Sequence, residues 1–244
     1  MQIESGASKR PGALSVWAIP LIAGLLPAIA AVSALLLSVQ SGLIVPCNPF
    51  FDGCVSISRA ARHDLPNLVF RAFVLPGATL QAITWILCAR WLGSLGKITG
   101  KSLTPTILAP LGVLAGSFFV LYGSFLGSEG EIYQWLRRYG INFYFGLTFL
   151  CMLLTSAQVF RLAQGGWLRV PWRLHRALGA TCLMLLAFGV INLIVKALLG
   201  DQALADRLEN SMEWLAGLLF TLFFAMLSWL WWHTRFRLYP GTET

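Results

Sequence analysis

Charge is what this sequence has least of. Asp, Glu, Lys and Arg make up 11% of its 244 residues, against about 25% in an ordinary soluble domain. A soluble fold of this length would bury a large core, but its surface would need far more charge than is available. No acid falls in the middle of any long apolar block, which speaks against a proton-coupled transporter or pump. The H-E-x-x-H zinc motif, the G-x-S-x-G nucleophile elbow and the phosphate-binding loop are missing too, so enzyme signatures are largely missing. No repeat, low-complexity tract or linker divides the chain, and a single domain over residues 1–244 is the simplest organisation.

What the chain has instead is apolar length. Hydrophobic residues reach 57% and come in long blocks. Six blocks suffice to cross a hydrocarbon core, which takes about 20 helical residues. They run over residues 16–39, 68–92, 103–127, 139–160, 177–195 and 214–234. Backbone in lipid must hydrogen-bond within its own segment, so blocks of this length are helices. The fold expected is all-α, a polytopic membrane bundle of about six transmembrane helices. The first block follows Lys9-Arg10 as a signal peptide would. Its apolar run exceeds the usual signal core of about 7–15 residues, which favours a retained helix.

Orientation follows from the Lys/Arg bias. With the N-terminus inside, the inner segments hold eleven: Lys9, Arg10, Arg90, Lys97, Lys101, Arg161, Arg169, Arg173, Arg176, Arg235 and Arg237. The outer segments hold seven: Arg59, Arg62, Arg71, Arg137, Arg138, Lys196 and Arg207. The bias is modest and favours both termini in the cytoplasm. Trp17, Trp91, Trp167, Trp172, Trp214, Trp231 and Trp232 fall near block ends, where an amphipathic ring meets the interface. A net charge of +8 would suit a nucleic-acid partner, but the basic residues form short clusters between apolar blocks and build no binding face. Membrane lipids are the expected partners, with other membrane proteins as a further option. A plasma or bacterial inner membrane is the simplest location.

Two outer segments concentrate the polar residues. The first, residues 41–67, is long for a loop and therefore functional or disordered. Cys47 and Cys54 would close a small disulfide in an oxidising compartment, or stand as two free thiols. Arg59, Arg62, His63 and Asp64 follow within six positions. Two guanidiniums could hold a lipid phosphate through bidentate bonds. The alternative is a solvated interfacial loop, with Asp64 capping the second helix. In the second segment, Ser128 and Glu131 have capping-box spacing, and Ile132, Trp135, Leu136 and Tyr139 share one helical face, as an amphipathic entry turn would. Glu129, Glu131, Arg137 and Arg138 could instead turn inward and meet the Arg59–Asp64 segment as a polar cup.

Polar residues inside the blocks are few: Arg71, Gln81, Asn142, Gln158, Asn192 and Lys196. Gln81 and Asn192 lie deepest, placed to bond between helices or to line a cavity. Cys88, Cys151 and Cys182 read as buried apolar residues. Gly112, Gly116, Gly123 and Gly127, spaced 4, 7 and 4, fall on one face of the third block and admit a neighbouring backbone. That neighbour is a helix of the same chain or, alternatively, a partner subunit. His175 and His233 could serve as a haem pair. Beside basic clusters they read as interfacial residues, and no cofactor or metal is expected.

The stretches Val55-Ser-Ile-Ser58-Arg59 and Leu65-Pro66-Asn-Leu-Val-Phe70-Arg71, set in this six-helix layout, carry a resemblance. The chain resembles the six-helix membrane family of damage-regulated autophagy modulators (DRAM), FGF-receptor-activating protein, yeast Sfk proteins and post-GPI-attachment lipid-remodelling factors. Where that family often shows Ile-Ser-Asp-x-Gly, this chain has Ile57-Ser58-Arg59-Ala60-Ala61. The resemblance implies a role in lipid remodelling, lipid distribution or recruitment of lipid enzymes, with no catalytic mechanism attached. The expectation is a protein that binds lipid or regulates lipid homeostasis without catalysis of its own. The rivals are a lipid-modifying enzyme using His63, with Asp64 or Glu129 nearby, and a structural subunit of a membrane complex.

Overall fold

The computed structural model describes residues 14–99, 103–198 and 201–238. Lys9, Arg10 and Lys101, which enter the orientation argument, lie outside the described residues, as does the side chain of Lys97. The elements run β1 (Leu14–Ser15), α1 (Ala18–Gln40), α2 (Ile57–Ala60), α3 (Asp64–Thr99), α4 (Thr104–Phe125), α5 (Glu131–Gln164), α6 (Trp172–Leu198), α7 (Gln202–His233) and β2 (Arg237–Leu238). Every helix except α2 is long and apolar enough to cross a membrane. The chain is a multi-pass membrane protein built as a helical bundle. β1 and β2 pair antiparallel, Leu14 opposite Leu238, so the first and last described segments meet at one end. The 41–63 loop and its disulfide mark the other end.

Three helices outrun the apolar blocks that announce them. α3, α5 and α7 have 36, 34 and 32 residues, roughly 48–54 Å at 1.5 Å per residue, against a hydrocarbon core of about 30 Å. A helix ends where its capping ends, not where lipid ends. At α7 the Asp201 carboxylate accepts the Ala203 and Leu204 N–H groups at 2.9 and 3.2 Å, so the helix starts twelve residues before the apolar block does. The expected Ser128–Glu131 capping box is absent. Gly130, at φ 115, is the N-cap of α5 and has no side chain to cap it, and Ser128 lies two residues further back, its carbonyl accepting from Arg137. Nor does Asp64 precede its helix as a cap: it is the first residue of α3, exposed, with φ 47.

Sequence neighbours pack side by side (α1 on α3, α3 on α4, α4 on α5), and α7 returns to α1. The tightest approach is between α3 and α4. A Cβ on Gly112 would overlap the Trp85 side chain, one on Gly116 would stand 2.8 Å from Ala82 Cβ, and one on Gly123 2.8 Å from Val74 Cγ1. Three of the four glycines thus face α3 of the same chain, which covers that surface. Gly127 does not share the face. It lies beyond the end of α4 at φ +87, and a Cβ there would stand 2.6 Å from the Arg62 carbonyl oxygen.

Hydrogen bonds tie the ring across its middle. Gln81 donates to the Ala23 carbonyl at 3.1 Å and accepts from the Tyr144 hydroxyl at 3.0 Å, joining α1, α3 and α5. Ser228 donates to the Trp17 carbonyl at 2.6 Å, fixing α7 to the start of α1. α6 is held less. Its buried residues are Leu174, Leu178, Thr181 and Cys182, all in its first half, and its second half turns mostly to the surroundings.

Gly112→Val should force Trp85 from its site and cost about 1–3 kcal/mol, the usual penalty of overpacking. Gly146→Ala, where an added Cβ meets nothing within 4 Å, should be neutral. Thermal unfolding of the detergent-extracted variants checks both. A Gly112→Val protein as stable as wild type would refute the close α3–α4 approach.

Candidate functional site

The roof of the site is the loop after α1. Cys47 and Cys54 form a disulfide, and inside it Asn48 N–H donates to the Asp52 carboxylate at 2.9 Å. The loop then docks on the early turns of α7. Gly53, at φ +58, packs so close to the Arg207 backbone that any Cβ would overlap it. Asn210 Nδ2 donates to the Gly53 carbonyl at 2.8 Å and Trp214 Nε1 to the Val55 carbonyl at 2.9 Å. Phe50 meets the Trp214 ring edge-on, centroids 5.6 Å apart. Ser38 donates to the Ala60 carbonyl at 2.6 Å. Asn67, buried at the start of α3, donates to the Ala61 and Leu126 carbonyls, each at 2.9 Å. These bonds satisfy loop carbonyls that would otherwise be buried bare.

Under this roof a cleft of about 1010 Å³ opens between α5, α6 and α7. Its mouth is polar: Arg62 from the loop, Arg137 and Arg138 from α5, Glu209 and Glu213 from α7. Its deeper walls are apolar, with Phe149 of α5, Leu185 and Leu186 of α6 and Phe220 of α7. The opening exists because the second half of α6 leans on little. Arg62 and Arg137 lie within electrostatic reach of each other and of Tyr122. Arg137 Nη1 donates to the Ser128 carbonyl at 2.7 Å. Arg62 Nε and Asn192 Oδ1, both on the cleft, are buried without a hydrogen-bond partner. Among the described residues the ion pair found is Lys196–Glu209 at 2.8 Å, so neither arginine has a carboxylate partner there.

A second cavity, a narrow slot of about 150 Å³, occupies the centre of the ring. All membrane-crossing helices except α6 line it. From α1 come Gly24, Pro27, Ala28, Ala31 and Val32, a single face at helical spacing. Glu213 and Tyr122 stand on both cavities, as do Ile141, Phe145 and Phe220. The Phe145 and Phe220 rings stack across the α5–α7 seam, 5.3 Å apart.

Of the residues singled out in the sequence, the structure brings Arg62, Arg137 and Arg138 together on the cleft. Arg59 and His63 are exposed and line neither cavity, and the same holds for Asp64, Glu129 and Glu131. His175 packs edge-on against Phe160. Sequence reasoning misses Glu213, whose carboxylate faces the Ile57 and Ser58 backbone N–H groups in the first turn of α2. The available signal is Glu209 and Glu213 at i, i+4 after the Asp201 cap, which sets both on one face of a helix begun early.

Comparison with protein-family models, with curated proteins and with solved structures finds no match to this chain.

Thiol alkylation tests the roof. With five cysteines in the chain and Cys88, Cys151 and Cys182 free, unfolded but unreduced protein should take up three alkyl groups, and reduced protein five. Uptake of five before reduction would refute the disulfide. Trp214→Phe keeps the aromatic contact and deletes the bond to Val55. It should cost about 1–3 kcal/mol for the carbonyl left unsatisfied, read as a lower thermal midpoint.

Proposed function

We propose that this multi-pass membrane protein binds an anionic lipid from the leaflet on its disulfide side and serves lipid homeostasis without catalysis of its own. One observation carries the reading: Arg62 and Arg137 share the mouth of a cleft whose deeper walls are apolar. Two guanidiniums without carboxylate partners repel each other, and an anion placed between them removes that cost. A guanidinium presents five donors in a planar fork, which suits phosphate bidentately. A ligand that answers both parts of the cleft has a phosphate-type head and a hydrocarbon body.

The disulfide supports placing this end in an oxidising compartment, in keeping with the N-in, C-in orientation. The resemblance to the DRAM-like six-helix family supports a lipid role. The His63 enzyme reading gains nothing from an exposed side chain off the cleft. A partner seated on the glycine face would have to displace α3.

The test is native mass spectrometry of gently extracted protein titrated with phosphatidic acid. Arg62→Ala and Arg137→Ala should each weaken retention about tenfold or more, since a hydrogen bond to a charged group is worth about 1.5–3 kcal/mol. Arg59→Ala should bind as wild type does. Wild-type retention by a folded Arg62→Ala/Arg137→Ala protein would remove the head-group site.

A further inference from the structure

The two cavities are not independent. They share Tyr122, Ile141, Phe145, Glu213 and Phe220, so they lie on the two sides of one wall, which includes the Phe145–Phe220 stack. On either side of that wall an apolar path descends. One is the cleft, bounded by the loosely held second half of α6. The other is the slot inside the ring, which runs from Glu213 and Ile57 near the roof down to Gln81 and Phe224. The α1 face of the slot spans Gly24 to Val32, about 12 Å of helix. Its volume of about 150 Å³ is that of a dry apolar cavity able to take a small hydrocarbon group. The slot's polar groups are accounted for at its floor, where Gln81 and Tyr144 bond to each other. Its walls offer a ligand mainly methyl groups, rings and glycine backbone.

The geometry points to a ligand with two hydrocarbon chains on one anionic head group, straddling the Phe145–Phe220 pair with one chain in the cleft and part of the other in the slot. This inference rests on the head-group reading and narrows it from anionic lipids in general to the two-chain class. A head held at Arg62 and Arg137 lies near Tyr122, a residue of the shared wall. A chain in the slot packs against apolar side chains of five helices, and its gain is the sum of those dispersion contacts. A single-chain lipid would leave one path unfilled.

Two probes separate the cases: dioleoyl phosphatidic acid and its single-chain counterpart, oleoyl lysophosphatidic acid. Each is titrated into the full-length extracted protein and read by native mass spectrometry. Wild type should retain the two-chain probe at least tenfold better. Gly217→Leu should bring that ratio close to one, because a Cβ at Gly217 meets only Ile57 Cδ1 at 3.6 Å and the remaining atoms enter the slot. Ala28→Leu fills the slot from the opposite wall and should act the same way, so the test survives if either variant fails to fold. Arg62→Ala should lower retention of both probes together.

Equal retention of the two probes by wild type overturns the two-chain inference and leaves the head-group reading standing. A ratio unchanged in both folded, slot-filled variants overturns the placing of a chain in the slot. Retention of both probes by Arg62→Ala at wild-type level overturns the head-group reading itself.

Discussion

Hydrocarbon offers no hydrogen bonds, so every polar atom carried into the bilayer must find its partner inside the protein. Gln81 obeys that constraint and organises its neighbours in doing so. Its amide cannot be left bare at mid-membrane, and it bonds to an α1 carbonyl on one side and the α5 tyrosine on the other. Those two bonds fix the mutual height of three helices that are far apart in sequence. They also set the floor of the central slot. At the disulfide end Asn67 does comparable work with two carbonyls, and α3 is thereby pinned at both levels. The rest of the ring is arranged around it.

Close packing then divides the molecule into a firm part and an open part. α4 presents glycines where α3 presents Trp85, Ala82 and Val74, and dispersion contacts across so short a gap are one of the forces that associate helices in lipid. α6 has no such feature. Gly179 and Gly189 meet nothing within 4 Å, and burial stops at Cys182. The first half of α6 joins α5 to α7 and closes the bundle there, while its second half stands beside a cleft. That opening lies under a roof held in place by a disulfide and by Asn210 and Trp214. A firm roof over a loose wall is an arrangement that can admit a ligand sideways without disturbing the polar mouth.

The charges at that mouth illustrate how weakly a linear sequence reports a site. Arg59 and Arg62 stand three apart, yet one faces outward and the other turns its Nε into the bundle. The difference arises because α2 ends at Ala60, so Arg59 lies on that short helix while Arg62 lies in the connection to α3. Glu131 and Arg137 both belong to α5, but only the second falls on the side facing the cleft. Glu213 escapes a linear reading because it adjoins an apolar block and resembles that block's solvated edge. In the folded chain the helix runs on for eleven residues above it, and the carboxylate meets the backbone of α2.

The sequence by itself determined the class of protein, the number of crossings and the helical form. Those properties depend on the local density of apolar residues and on the bilayer's refusal to solvate backbone, and both can be read along the chain. It also marked the glycines that permit close approach and the cysteines that stand near enough to join. Only the tertiary structure decided which helix fills the glycine face, that the two cysteines are joined, and which arginines share a cavity. It also revealed the slot at the centre of the ring. Those outcomes depend on how long helices lean against one another over many residues of separation, and lean is a property of the assembled bundle that no local pattern encodes.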